Sequence, residues 1–198
     1  AYEYVAMLAN ELGTDVWISI PHRANDSYIS GVATLLDQKL DGDIRVYLEY
    51  GSGFEDPDSD ATRYVSQQGQ FVGLDPDPAL AGFKYRIRRT LNTCGVFQGR
   101  FDPRRTTRVL STPLSGPERL NELLSYQNVA QQIDLLSVAP FIAVDVETAG
   151  QASTVAAMGP AAVLDALELT SLPALMSQVR AIKQVATRDR KSTRLNSS

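Results

Sequence analysis

Ile44, Val46 and Leu48 alternate with Arg45, Tyr47 and Glu49. This period of two predicts a strand with one face turned to a core. Asp41-Gly42-Asp43 supplies the turn before it, and Gly51, Gly53 and Pro57 end it. Glu49 is the last charge before that turn, so it belongs at the carboxyl end of the strand. Upstream, Tyr4, Val5, Leu8, Ala9 and Leu12 fall on one helical face, and Gly13 stops the helix. Asp15 to Ile20 reads as a buried strand closed by Pro21-His22. Asn25 or Ser27 can cap the next helix, with Tyr28, Ile29, Val32, Leu35 and Leu36 as its apolar face.

Beyond the acidic loop Asp56 to Asp60, the pattern predicts a short helix over Ala61–Gln68, ended by Gly69. A longer helix follows from Pro78 to about Val96, its cluster Lys84, Arg86, Arg88 and Arg89 read as a solvated face. Thr107 to Ser111 is a short strand. Ser115-Gly-Pro-Glu118 is a capping box before Leu120, Leu123 and Leu124. Ile133 to Val138 is a further strand, continuing through Phe141. Asp145 to Gly159 reads as irregular, and helices cover Pro160–Leu169 and Pro173–Val185, with Thr170 as a cap. Arg188 to Ser198 has no periodicity, resembles translated adaptor sequence, and is read as an artefactual or disordered tail; residues 1–187 are read as one domain.

Strands alternating with helices predict an α/β fold with parallel pairing and right-handed crossovers. Four strands are visible, whereas a closed (β/α)8 barrel takes eight in about 250 residues. The expected architecture is therefore a partial barrel or a small open sheet.

Composition narrows the chemistry. Of 198 residues, 43% are apolar and 21% charged, enough for one sizeable core. A net charge of −4 gives no support for a nucleic-acid partner. No apolar run approaches the ~18 residues of a membrane span. One His and one Cys, Cys94, argue against a zinc site and allow no internal disulfide. No phosphate-binding glycine loop, Gly-x-Ser-x-Gly elbow or Cys-x-x-Cys appears, and no cofactor is expected.

Ala9-Asn-Glu-Leu-Gly-Thr-Asp-Val-Trp17, then Ile20-Pro-His22, Asp26-Ser-Tyr28 and Val46-Tyr-Leu-Glu-Tyr50, resemble bacterial glycoside-hydrolase-like (β/α)8 proteins of the cellulase-like, or cellulose-binding, type. Arg108-Val-Leu110 and Asp134 to Phe141 extend the resemblance, which covers roughly residues 1–142. It implies a barrel directed at polysaccharide or oligosaccharide, outside the cytoplasm or in the periplasm. It also implies an Asn-Glu acid/base pair at one strand end and a second Glu as nucleophile, about 5 Å apart in retaining enzymes.

The chain departs from that pattern. Aligned on Glu49-Tyr50, the Asn position is Ser52, the acid/base position is Gly53, and the following Trp is Glu55. Glycine carries no proton, so a catalytically incompetent fragment is expected, with Glu49 and Glu55 as the two acids able to substitute. His22, Tyr50, Ser52 and Phe141 are the candidate substrate contacts, and Trp17 is expected in the core. A non-catalytic carbohydrate-binding module and a complete small α/β domain of unrelated function are the alternatives. A half barrel would expose unpaired edges and self-associate through them.

Overall fold

The computed structural model describes residues 2–54, 56, 58–112, 117–138 and 149–195. They divide into two compact units, residues 1–113 with 122–137, and residues 114–121 with 138–198. The element order is α1 (Tyr2–Leu12), β1 (Val16–Ile20), α2 (Asp26–Lys39), β2 (Val46–Tyr50), α3 (Asp60–Phe71), α4 (Pro78–Gln98), β3 (Thr106–Thr112), α5 (Pro117–Ser125), α6 (Val129–Gln132), β4 (Leu135–Val138), α7 (Ala149–Ala157), α8 (Pro160–Ala166) and α9 (Leu172–Leu195).

The fold is mixed α/β with a four-stranded parallel sheet in the order β1-β2-β3-β4. Each strand lies beside its neighbour in sequence, as successive strands of a (β/α)8 barrel do. A doubly wound sheet would reverse direction at a switch point. Val16 pairs with Val46 and Ile20 with Tyr50; Val46 pairs with Thr106.

The helix-facing side chains of the strands, Val16, Ile18, Ile20, Val46 and Leu48, join Ala6, Ala9, Ile29, Val32, Leu36, Cys94, Phe97 and Phe101 in one buried cluster. Burying each large aliphatic side chain there contributes roughly 1.5–3 kcal/mol. The alternate positions Trp17, Ser19, Tyr47 and Glu49 stand on the opposite face and stay partly or largely accessible. Over β1 and β2 the sheet therefore has one closed face and one open face.

Local rules explain most element ends. Asn25 accepts from the Tyr28 amide at 2.9 Å and starts α2; Ser59 accepts from Thr62 at 3.1 Å and starts α3; Asp77 starts α4 ahead of Pro78. Ser115 lies outside the described residues. No helix among the described residues is long and apolar enough to cross a membrane.

Several expectations are corrected. α1 packs through Ala6 and Ala9, while Tyr4, Leu8 and Leu12 are exposed; small side chains let the helix approach the sheet closely. Gly69 does not end α3, which runs on to Phe71 before Gly73 (φ +67°) stops it. A Cβ on Gly69 would collide with the Ala81 carbonyl, so this glycine permits the close α3–α4 crossing. The basic cluster of α4 is largely engaged. Arg86 is 5% exposed, donates to the Ser111 carbonyl at 2.6 Å and lies 4.0 Å over the Phe54 ring. Lys84 pairs with Asp75 at 2.6 Å; Arg88 alone of the four is exposed. Part of the stretch expected to be irregular forms α7. Thr170 sits inside a π-helical turn, Leu167–Ser171, instead of capping a helix. α9 continues without a break through Arg188 to Leu195; its Arg, Lys, Gln and Ala content propagates a helix once started.

Two glycines separate packing from propensity. Gly69→Ala is expected to lower stability by roughly 1–3 kcal/mol through overpacking. Gly31→Ala, at an exposed α2 position with nothing near its Cβ, is expected to raise it by roughly 0.5–1 kcal/mol. Urea unfolding of both variants checks the pair.

Candidate functional site

Strand parity and register build the open face. Trp17 and Tyr47 are register partners on adjacent strands, so both rings project from the same side. They stack with centroids 5.7 Å apart and planes 4° from parallel. Two residues beyond Tyr47, Glu49 accepts a hydrogen bond from the Trp17 indole Nε1 at 2.7 Å. Trp17 was expected in the core, yet it is 48% exposed. β1 is an edge strand and Tyr47 covers one face of the indole, so the other face looks outward past the sheet edge.

The carboxyl ends of β1 and β2 carry a second group. His22 lies two residues past the end of β1, after Pro21. Its Nε2 lies 3.3 Å from Arg23 Nε and 3.3 Å from Asp60 Oδ2. Arg23 donates from Nη2 to both Asp60 oxygens at 3.0 Å and rests 4.8 Å over the Tyr64 ring. His22 Nε2 must hold a lone pair to accept from Arg23 and a proton to donate to Asp60, so it serves one partner at a time. The Arg23 hydrogen bond holds the Asp60 carboxyl below the usual carboxylate range.

The other sequence-derived candidates are placed as follows. Tyr50 is 3% exposed, donates to the His22 carbonyl at 2.6 Å and packs beside Phe54. It is a buried brace for the loop after β1, and its hydroxyl pKa is raised by burial. Ser52 is exposed in the bend between Gly51 and Gly53. Glu55 and Phe141 lie outside the described residues. Gly53 has φ +77°, a backbone state that disfavours any side chain, and Ser59 Oγ donates to its carbonyl at 2.7 Å. Gly51, at φ +69°, donates to the Ile20 carbonyl at 2.7 Å and extends the β1–β2 pairing.

Among the described residues no three His, Cys, Asp or Glu side chains cluster to hold a metal ion. Cys94 is buried against the sheet, which pushes its thiol pKa up to about 12. No family model, curated protein or solved structure matches this chain.

Sequence reading missed both the Trp17–Tyr47 stack and the Arg23–Asp60–Tyr64 group. The first was open to detection, because Trp17 and Tyr47 occupy the polar parity of their strands. The second joins residues 37 apart with no local spacing signal.

Arg23→Gln is expected to raise the Asp60 carboxyl titration midpoint toward the ordinary value, read by carboxyl-carbon NMR. Asp60's folded value is depressed, so its contribution to stability is present above the unfolded pKa and fades as pH falls through the folded one. The Cys94 thiol stays neutral in the fold. The stability this gives is full below the unfolded pKa of about 8.5 and is lost as pH rises toward about 12. Iodoacetamide at pH 8 should leave the native thiol intact and alkylate it in urea, as mass spectrometry would show.

Proposed function

We propose that this chain is a glycoside-hydrolase-like α/β barrel unit that binds polysaccharide on the open face of its sheet without cleaving it. The observation that carries the reading is the half-exposed Trp17 indole, held between the Tyr47 ring and the Glu49 carboxylate. An indole facing water is unfavourable to leave uncovered, and the C–H face of a pyranose covers it. Tyr47 and Glu49 fix the ring before any ligand arrives, which reduces the ordering cost of binding.

Sequential parallel strands with helices on the closed face support the barrel part of the reading. The resemblance in residues 1–142 supports the carbohydrate part. Gly53 at the acid/base position supports binding without hydrolysis, since glycosidic cleavage by this route needs an acid and a nucleophile. Its positive φ adds to this, because the loop is shaped for glycine and not for a carboxylate.

Isothermal titration with cellotetraose and xylotetraose tests the proposal. Trp17→Ala is expected to weaken binding about 10- to 100-fold, the loss of roughly 1.5–3 kcal/mol of covered aromatic surface. Unchanged affinity in that variant, or release of reducing ends by the wild-type chain, overturns the reading.

A further inference from the structure

We propose that the groove at the carboxyl end of β1 binds the carboxylate of an acidic sugar unit, so that the glycan recognised carries uronate residues. This deepens the polysaccharide reading and rests on it. The groove has a volume of about 530 Å³ and lies between the loop after β1, the start of α2, and helices α3 and α4. Its chemistry comes from Arg23, Asn25, Asp26, Tyr64, Tyr85 and Arg89.

The two guanidinium groups are held in place before a ligand arrives. Arg89 donates to the Ala24 carbonyl at 2.8 Å and to Asn92 Oδ1 at 2.5 Å, and lies 5.6 Å over the Tyr50 ring. These bonds, with a further one donated to the Tyr50 hydroxyl, engage part of its five N–H groups. Arg23 is held by Asp60, by the His22 ring nitrogen and by the Tyr64 face. Among the described residues its Nη1 makes no hydrogen bond.

Within the lining, two guanidinium groups face one carboxylate, Asp26, which is 61% exposed and 3.7 Å from Arg89. Asp60 pairs with Arg23 from outside the lining. A ligand carboxylate can therefore meet Nη1 of Arg23 and the remaining N–H groups of Arg89 through charge-assisted hydrogen bonds. Tyr64 and Tyr85 meet edge to face, 6.3 Å apart, and wall the groove. Burial and a hydrogen bond with Tyr64 raise the Tyr85 hydroxyl pKa, so that group stays neutral. The volume suits a ring-sized ligand, within the ~300–1,000 Å³ of small-molecule sites, and the aromatic wall suits a sugar better than a bare inorganic ion.

Titration calorimetry of the full chain with tetragalacturonate, cellotetraose and inorganic phosphate tests this. Tetragalacturonate should bind, and Arg23→Gln should weaken it about tenfold or more while leaving cellotetraose unaffected. Arg23 is the chosen site because its side chain is 60% exposed, so the variant should fold. Arg89→Lys, which keeps the charge and loses the fork, should weaken tetragalacturonate as well, with a thermal melt checking its fold. Tetragalacturonate affinity unchanged in Arg23→Gln overturns the inference, as does displacement by equimolar phosphate. If cellotetraose binds through Trp17 and tetragalacturonate does not bind, this inference falls and the polysaccharide reading stands. If neither binds, both fall.

Discussion

Burial of one face of a parallel sheet is the constraint on which the first unit depends. Val16, Ile18 and Ile20 on β1 and Val46 and Leu48 on β2 must point into the layer of α1, α2 and α4 to leave water. A strand alternates strictly, so that demand also dictates where their neighbours go. Trp17, Tyr47 and Glu49 are carried to the opposite face whatever their own preference. The candidate ligand surface is thus the geometric complement of the core. A one-residue slip in register would bury Glu49 and expose Leu48, and the cost of both errors holds the surface in place.

A second layer of organisation comes from the arginines of α4. Arg86 enters the protein beneath Phe54 and bonds the Ser111 carbonyl at the end of β3. Arg89 bonds the Ala24 carbonyl in the loop after β1 and sits on Tyr50. Each cation leaves water only by meeting a carbonyl and a ring face. One helix thereby braces the carboxyl ends of two strands, the end of an α/β sheet at which ligands are commonly held. Tyr50 completes the brace by bonding the His22 carbonyl. The loop that carries His22 and Arg23 is accordingly tied from its backbone, which leaves those two side chains to meet Asp60 and Tyr64.

Legibility varied with how local the deciding force was. β2 was readable because Ile44 to Tyr50 writes its burial pattern residue by residue. The α2 start was readable because Asn25 caps the Tyr28 amide three residues on, and the α4 start because Pro78 suits the first turn of a helix. α1 was not, because its apolar residues suggested a buried face through Leu8 and Leu12 whereas the sheet selected the small side chains Ala6 and Ala9. Gly69 was not, because its role is set by Ala81 on another helix. The charges of Arg86 and Arg89 were read as solvated because no nearby residue announces the carbonyls and rings they reach.

The amino-acid sequence alone determined the alternation of strands and helices, the parallel α/β class, the Asn25 cap of α2, and glycines at the turn after β2. These follow from period, local hydrogen bonding and the presence or absence of a side chain, all of which act within a few residues. Only the tertiary structure decided that Trp17 is exposed and stacked on Tyr47, that Tyr50 is internal, and that Arg23, Asp60 and Tyr64 meet. Those outcomes require strands and helices far apart in the chain to be brought together. Where they meet is set by register and packing, for which no single stretch of sequence carries the signal.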